Sequence, residues 1–419
     1  MRKSNTHTGT SPCILILNAG SSSIKFAAFL ADDNLTRLTE GQVERIGTPH
    51  ATFTAQTTGA AAATRWSIRA GSHASAAAHV LKWMQVAIEG QQMVAVGHRI
   101  VFGGPKLIHH QRITAAVLKE LQRDSSLDPS HLPRDIALIR AVRNEYPLLP
   151  QYACFDTAFH HAMPQEARIL PIPWTYYKQG IQKLGFHGIS YEYIVATLRR
   201  IAPAQARGRV VIAHLGSGCS LAAVRNGKPV DTTMGFTPAG GLVMASRTGD
   251  MDPGVLLYLM EHEKLTPRAM EQWITEQCGL RGVSQRSGDM RDLLQTQKTD
   301  PRAAAAVALF CHRARQWIAA MAASMGGIDT LIFSGGIGQH AWQIRQEICR
   351  GLKFLDIDLD IRANRDRASV ISTPHSRVAV RIIPTDEQIQ LARIVRGLLP
   401  VRLPASKNPT RQATDVFEL

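Results

Sequence analysis

One plan occurs twice in this chain, and it constrains the fold more than any other feature. Residues 13–17 (CILIL) form an unbroken apolar run that ends in Asn-Ala-Gly-Ser-Ser-Ser, and a second apolar segment follows at 24–30. A short apolar run closed by turn residues reads as a buried strand, and the second segment as its return partner. The same shape recurs at 210–224, where Gly216 matches Gly20 and a serine follows each. A third run, 330–334, leads into Gly335-Gly-Ile-Gly338. Helices lie between these runs. Asp300 reads as an N-cap with Pro301 in the first turn. Val307, Phe310, Ala314, Trp317 and Met321 then share one face, and Gly326-Gly327 ends the helix. That spacing assigns Trp317 to the core rather than to a ligand. Segments 191–201 and 387–399 also read as helices, and 51–63 as a strand with a loop. Strands alternating with helices specify an α/β protein. The duplicated unit predicts two halves of similar architecture with a cleft between them.

Composition narrows the class. The 419 residues are 45% apolar and 19% charged, as in ordinary globular chains of two or three domains. No stretch approaches the roughly 18 apolar residues of a membrane span, and residues 1–11 carry no apolar signal core. Lys and Arg total 48 against 33 acids, a net charge of +15. The basic residues are scattered, with no block of five. Arg199–Arg200 and Arg362, Arg365 and Arg367 read as solvated faces. The charge therefore favours small anions, and neither nucleic acid nor membrane is expected as a partner. The six cysteines contain no CxxC pair, which argues against zinc and against a disulfide framework. A reducing, cytoplasmic location is expected.

A glycine/serine turn after a buried strand offers backbone N–H groups and small hydroxyls with no bulk in the way, a concavity suited to phosphate. Three such turns in one chain strengthen that reading. There is no GxxxxGK[ST] and no GxGxxG, so a nucleotide would bind between two lobes. Polar residues stand beside apolar runs where a cleft needs them: Arg99 in 97–104 (GHRIVFGG), His187 in 185–188 (GFHG), Asp156 after 152–155. Arg247, Asp250 and Asp252 lie in 237–253, and Asp386 and Glu387 precede the last helix. These parts suit phosphoryl transfer: arginines neutralise the migrating group, a histidine donates to its oxygens, and carboxylates hold Mg²⁺ or orient the nucleophile.

Together these segments resemble the acetate kinase family, from about Ile14 to Arg393. Residues 14–26 (ILILNAGSSSIKF) resemble its first signature and 234–253 (MGFTPAGGLVMASRTGDMDP) its second. Segments 155–160 (FDTAFH), 185–188, 333–338 (FSGGIG) and 383–387 (IPTDE) match further family segments in order. The resemblance implies an α/β fold of two RNase H-like, actin-like domains flanking a nucleotide cleft. It implies a homodimer that interconverts ATP and acetate with ADP and acetyl phosphate by direct in-line transfer. Mg²⁺ is the implied cofactor, with Mn²⁺ as a substitute.

The same resemblance assigns residues. Arg99 and Arg247 would stabilise the transferring group and position the carboxylate. His187 and His131, the latter in 129–133 (PSHLP), would donate to phosphoryl oxygens, and Asp156 would orient the reaction. Asn18 and Glu387 would form the metal environment. Ser21, Ser23 and Lys25 lie in the first phosphate loop. His214, Leu215, Gly216, Ser217 and Gly218 would face the nucleotide phosphates. Asp289, Met290 and Arg291, with Gly335, Gly336, Ile337 and Gly338, would hold adenosine. Val101, Phe186 and Pro238, beside Arg99, would receive the acid.

The chain departs from the family pattern at several points. Phe102 stands for histidine, Ser130 and Leu132 for Leu and Asn, and Ser217 for Asn. Gly241 stands for Glu, Gln339 and His340 for Glu and Asn, and Asp386 for Asn. Serine at 130 would leave room for an acid larger than acetate, so propionate or another short carboxylate is the alternative. A non-catalytic actin-like nucleotide-binding module is the rival of another class. Residues 12–157 with 388–403 are expected to form domain I and 158–387 domain II, closing on a hinge over the nucleotide. Residues 1–11 and 404–419 are expected to be disordered.

Overall fold

A computed structural model of the chain describes residues 11–129 and 131–400. Of the segments expected to be disordered, 1–11 and 404–419, residues 1–10 and 404–419 lie outside these residues, as does Ser130, and Ser11 corrects the expectation. Ser11 opens the first strand. Among the described residues thirteen strands form two sheets. The first sheet takes β1 (Ser11–Ala19), β2 (Ser23–Leu30), β3 (Arg37–Glu44), β4 (Thr52–Thr57), β5 (Thr64–Ser67), β6 (Gln91–Ile100), β7 (Gln111–Arg112) and β8 (Gln151–Phe155). The second takes β9 (Arg209–Leu215), β10 (Cys219–Arg225), β11 (Lys228–Thr232), β12 (Thr330–Ser334) and β13 (Ala379–Ile382).

The orders are β5-β4-β3-β2-β1-β6-β8-β7 and β11-β10-β9-β12-β13. Both contain the same unit. Three antiparallel strands are joined by hairpins, and the first is flanked on its other side by two parallel strands: β6 and β8 in one sheet, β12 and β13 in the other. This is the duplicated RNase H-like plan of the actin-like fold. The hairpins β1–β2 and β9–β10 are the two near-repeats visible in the sequence. Residues 14–17 of β1 are fully buried, as a strand covered on both faces requires.

Helices cover the sheets. Helix Pro301–Ser324 starts where the sequence places it: Asp300 accepts from the N–H groups of Arg302 and Ala303. Val307, Phe310, Ala314 and Met321 are buried, and Trp317 packs half-buried against the same cluster. The expected strand in 51–63 is β4. Helix Gly188–Ile201 begins three residues before the expected Tyr191, because His187 at φ 60° turns the chain directly into it. Helix Glu387–Leu398 returns to the first sheet, where Leu391, Ala392 and Val395 pack with Ile14 and Ile16. The contact is tight enough that a methyl at Gly97 would meet Val395 Cγ2 at 2.6 Å.

Candidate active site

The parallel strands bring their carboxyl ends side by side, the edge where open α/β sheets gather ligands. Asn18 on β1 lies beside Arg99 on β6, and Arg99 beside Cys154 on β8. Asp156 follows two residues later, its N–H donating to the Ile100 carbonyl at 3.0 Å. Arg99 grips Asp156 through Nε, at 3.1 and 3.2 Å, and through Nη2, at 2.5 Å. Its Nη1 donates to Asn18 Oδ1 at 3.1 Å. Asn18 Nδ2 donates to Glu387 Oε2 at 3.1 Å, and Ser190 Oγ donates to Glu387 Oε1 at 2.6 Å.

Electrostatics fix the charge of this chain of groups. Burial opposes the Arg99 charge, yet Asp156 and Glu387 outweigh it and raise its pKa. Burial pushes the Asp156 carboxyl up, and Arg99 works against that push. Burial is also the largest influence on Glu387, but Arg99, Ser190 and His214 together hold its pKa below the usual value. Glu387 is therefore an ionised carboxylate at physiological pH.

Two histidines face each other from the second sheet and its neighbouring helix. The His187 and His214 rings are 4.7 Å apart. Burial depresses the His187 pKa strongly, with His214, Arg99 and Arg247 adding to it, and burial lowers His214 as well. Both shifts favour the neutral ring at physiological pH. His187 is held by close backbone packing: a methyl at Gly188 would lie 2.2 Å from the Asp156 carbonyl oxygen. Arg247 approaches from the second signature. Its Nη1 donates to the Pro238 carbonyl at 3.2 Å, and among the described residues no carboxylate forms an ion pair with it. Burial lowers its pKa. A methyl at Gly218 would stand 3.3 Å from His187 Nε2 and 3.8 Å from Arg247 Nη1, so both groups converge on that glycine turn.

A cavity of about 1320 Å³ opens on these groups, large beside the ~300–1,000 Å³ of most small-molecule sites. Asn18, Lys25, Arg99, His187, His214 and Glu387 line it. So do Gly216, Ser217 and Gly218, Asp289, Met290 and Arg291, and Gly335, Gly336 and Ile337, which form the first turn of helix Gly335–His340 where the sequence predicts a loop-like glycine turn. Other expected residues lie outside its walls. Ser21 and Ser23 sit in and after the β1–β2 turn, Leu215 and Gly338 are buried beneath it, and Asp156 stands behind Arg99. His131 does not line it, and its Nδ1 lies 2.8 Å from Asp128 Oδ1. Val101 and Phe186 share one apolar cluster with Phe102, whose ring lies 6.5 Å from Phe186 and 6.1 Å from Phe236. Pro238 is half-buried and enters the site through its carbonyl.

Sequence reasoning missed part of this site. Ser190 and Ser220 hold Glu387 and His187. Glu40 and Gln42 on β3 pair with Gln56 and Thr54 on β4, and all four face the cavity. Alternating polar residues at 40, 42, 54 and 56 were the available signal. Among the described residues no cluster of three or more His, Cys, Asp or Glu could hold a metal. The Asn18 carbonyl and the ionised Glu387 nevertheless supply hard oxygen donors at the cavity wall. Such a pair fits a small divalent cation that keeps most of its ligands as water and phosphate.

Duplicated RNase H-like sheets around a cavity lined by glycine turns and cations are the plan of the actin-like phosphotransferases. Comparison with known proteins makes this specific. The model of the acetokinase family matches residues 13–393. The chain is 41% identical to the acetate kinase of Rhodopseudomonas palustris over 92% of its own length and 98% of that protein. It is 37% identical to the propionate kinase of Citrobacter rodentium, over 94% and 98%. Its fold is similar to the crystal structure of Porphyromonas gingivalis acetate kinase, with TM-score 0.83 and 32% identity over 93% of this chain and 100% of that one. A propionate kinase from Francisella tularensis matches with TM-score 0.87 at the same identity and coverage. This chain belongs to the acetokinase family.

Proposed function

We propose that the protein is an acetate kinase: an acetate oxygen attacks the γ-phosphorus of ATP, the bond to the β-phosphate oxygen breaks, and acetyl phosphate and ADP leave. The supporting observation is the convergence of His187 Nε2 and Arg247 Nη1 on Gly218, which lines the cavity together with His187 and Arg99, while Arg247 stands behind that glycine. A γ-phosphoryl group seated on this turn would meet two guanidinium groups and a neutral imidazole. Charge spreads over the equatorial oxygens in such a transfer, so preorganised donors do most of the catalysis.

In this reading Asp156 aims Arg99, and His131 donates from the far side. Ser217 and the Gly335–Gly336 turn hold phosphates, and Met290 with Ile337 receives adenosine. Ser21, Ser23 and Lys25 add donors from the first turn. Asn18 and Glu387 would hold Mg²⁺, or Mn²⁺ in its place, which when bound would neutralise charge between the phosphates. Val101, Phe186 and Pro238 would take the methyl of the acid. One methylene in such a pocket is worth only about 1–3 kcal/mol, so propionate is the second acid. Six buried free cysteines suit the reducing cytoplasm.

We also propose a homodimer. Helix Pro253–His262 (PGVLLYLMEH) has no buried residue, and Leu257 and Tyr258 are 68% and 61% exposed. A second copy covering this helix would remove a costly apolar surface. The reverse reaction tests the function: ADP and acetyl phosphate with Mg²⁺ should yield ATP, and a protein that binds ADP without forming ATP would favour the non-catalytic module.

A further inference from the structure

Behind His187 runs a buried chain of hydroxyls. Tyr191 OH lies 2.5 Å from Ser220 Oγ, and Ser220 Oγ lies 2.8 Å from His187 Nδ1. Tyr191 and Ser220 have no exposure to solvent. The fold assembles them from two elements. Tyr191 stands one helical turn after His187, its N–H donating to the His187 carbonyl at 3.1 Å. Ser220 sits on β10, just beyond the turn that holds Gly218. The other ring nitrogen, Nε2, faces Gly218, the glycine that Arg247 Nη1 also approaches.

A neutral ring has two tautomers. In one, Nδ1–H donates to Ser220, and the serine and tyrosine hydroxyls then hold two hydrogens for the single remaining link. One hydroxyl hydrogen is left with no acceptor in a buried place, and a bare Nε2 lone pair faces the site of an anion. In the other, Tyr191 donates to Ser220, Ser220 donates to Nδ1, and Nε2 carries the hydrogen. Every hydrogen of the chain is then used, and the N–H points at the cavity. A buried unsatisfied polar group costs about 1–3 kcal/mol, so the second arrangement prevails.

We propose that Ser220 and Tyr191 are positioning residues that lock His187 as the Nε2–H tautomer, presenting a donor to the transferring phosphoryl oxygens. The consequence for rate rests on the reading of His187 given above; the tautomer itself does not.

The test joins spectroscopy to kinetics on the full-length protein. Histidine-selective ¹⁵N labelling reports which ring nitrogen is protonated, and loss of a signal in His187→Gln assigns it. The wild type should show Nε2–H at His187. Ser220→Ala should populate Nδ1–H and lower kcat about 100-fold, the cost of misplacing a catalytic group, with the KM for ATP nearly unchanged. Ser220→Thr keeps the hydroxyl and should restore both readouts. Tyr191→Phe should mix the tautomers and lower kcat about tenfold, and carries the same prediction if Ser220→Ala fails to fold. A wild-type ring that is Nδ1–H or mixed overturns the proposal. So does a folded Ser220→Ala variant with Nε2–H and wild-type kcat. If the wild type forms no acyl phosphate, the tautomer measurement still decides the lock, and the functional reading fails separately.

Discussion

At the scale of single residues, charge in a water-poor site carries the account. Arg247 is half-buried, and among the described residues it has no carboxylate in an ion pair, so its charge is available to an anion. Arg247→Ala should lower kcat by about 10²–10³-fold, as loss of one preorganised donor does. Its thermal melt should stay at or above wild type, because an uncompensated buried charge has gone. Activity within a few-fold of wild type would remove Arg247 from the mechanism. Asp135, in the first turn of helix Leu132–Glu145, gives a pH prediction. Burial raises its pKa well above the usual carboxylate value, Asp128 adds to this, and Arg99 opposes it. The folded state therefore holds a proton that the unfolded state releases, and stability falls as pH rises between the two pKa values. Asp135→Asn should raise the melting temperature at about pH 8, and the gain should vanish below about pH 3, where the unfolded carboxyl is protonated too. An equal effect at both pH values would contradict this.

At the scale of elements, the glycine turns do the positioning. Gly335 has φ 71°, and a methyl there would lie 2.5 Å from the Leu215 carbonyl oxygen. Gly335→Ala should cost about 1–3 kcal/mol in stability through that strain and weaken ADP binding, read by calorimetry. Unchanged ADP affinity would detach this turn from the nucleotide. These turns were legible because each is contiguous: a buried strand and its turn announce themselves within a few residues. The duplicated sheet plan followed from the same segments. The supporting residues were not legible. Ser220 on β10 meets His187, the residue that opens helix Gly188–Ile201, across 33 positions, and Ser190 reaches Glu387 across 197 positions. The β3–β4 wall was overlooked because its alternating polar residues look like an ordinary solvent face. The helix behind His187 began early because a left-handed histidine, rare outside glycine, makes the turn.

At the scale of the molecule, two surfaces matter: the apolar helix Pro253–His262 and the walls of the cavity. Wild type should sediment as a dimer, and Leu257→Glu should shift it toward monomer; a monomeric wild type would exclude the dimer. Both sheets supply cavity walls, so closure over bound nucleotide would exclude water from the transfer. Scattering with Mg²⁺, ADP and acetyl phosphate should show a more compact particle, and identical profiles would rule out large closure. The central claim is the reaction itself. Acyl phosphate formed from Mg-ATP with acetate, propionate or butyrate, and trapped as the hydroxamate, tests it most directly. The account predicts turnover with kcat/KM falling from acetate to propionate to butyrate. Folded protein that binds ATP yet forms no hydroxamate with any of the three acids would contradict it.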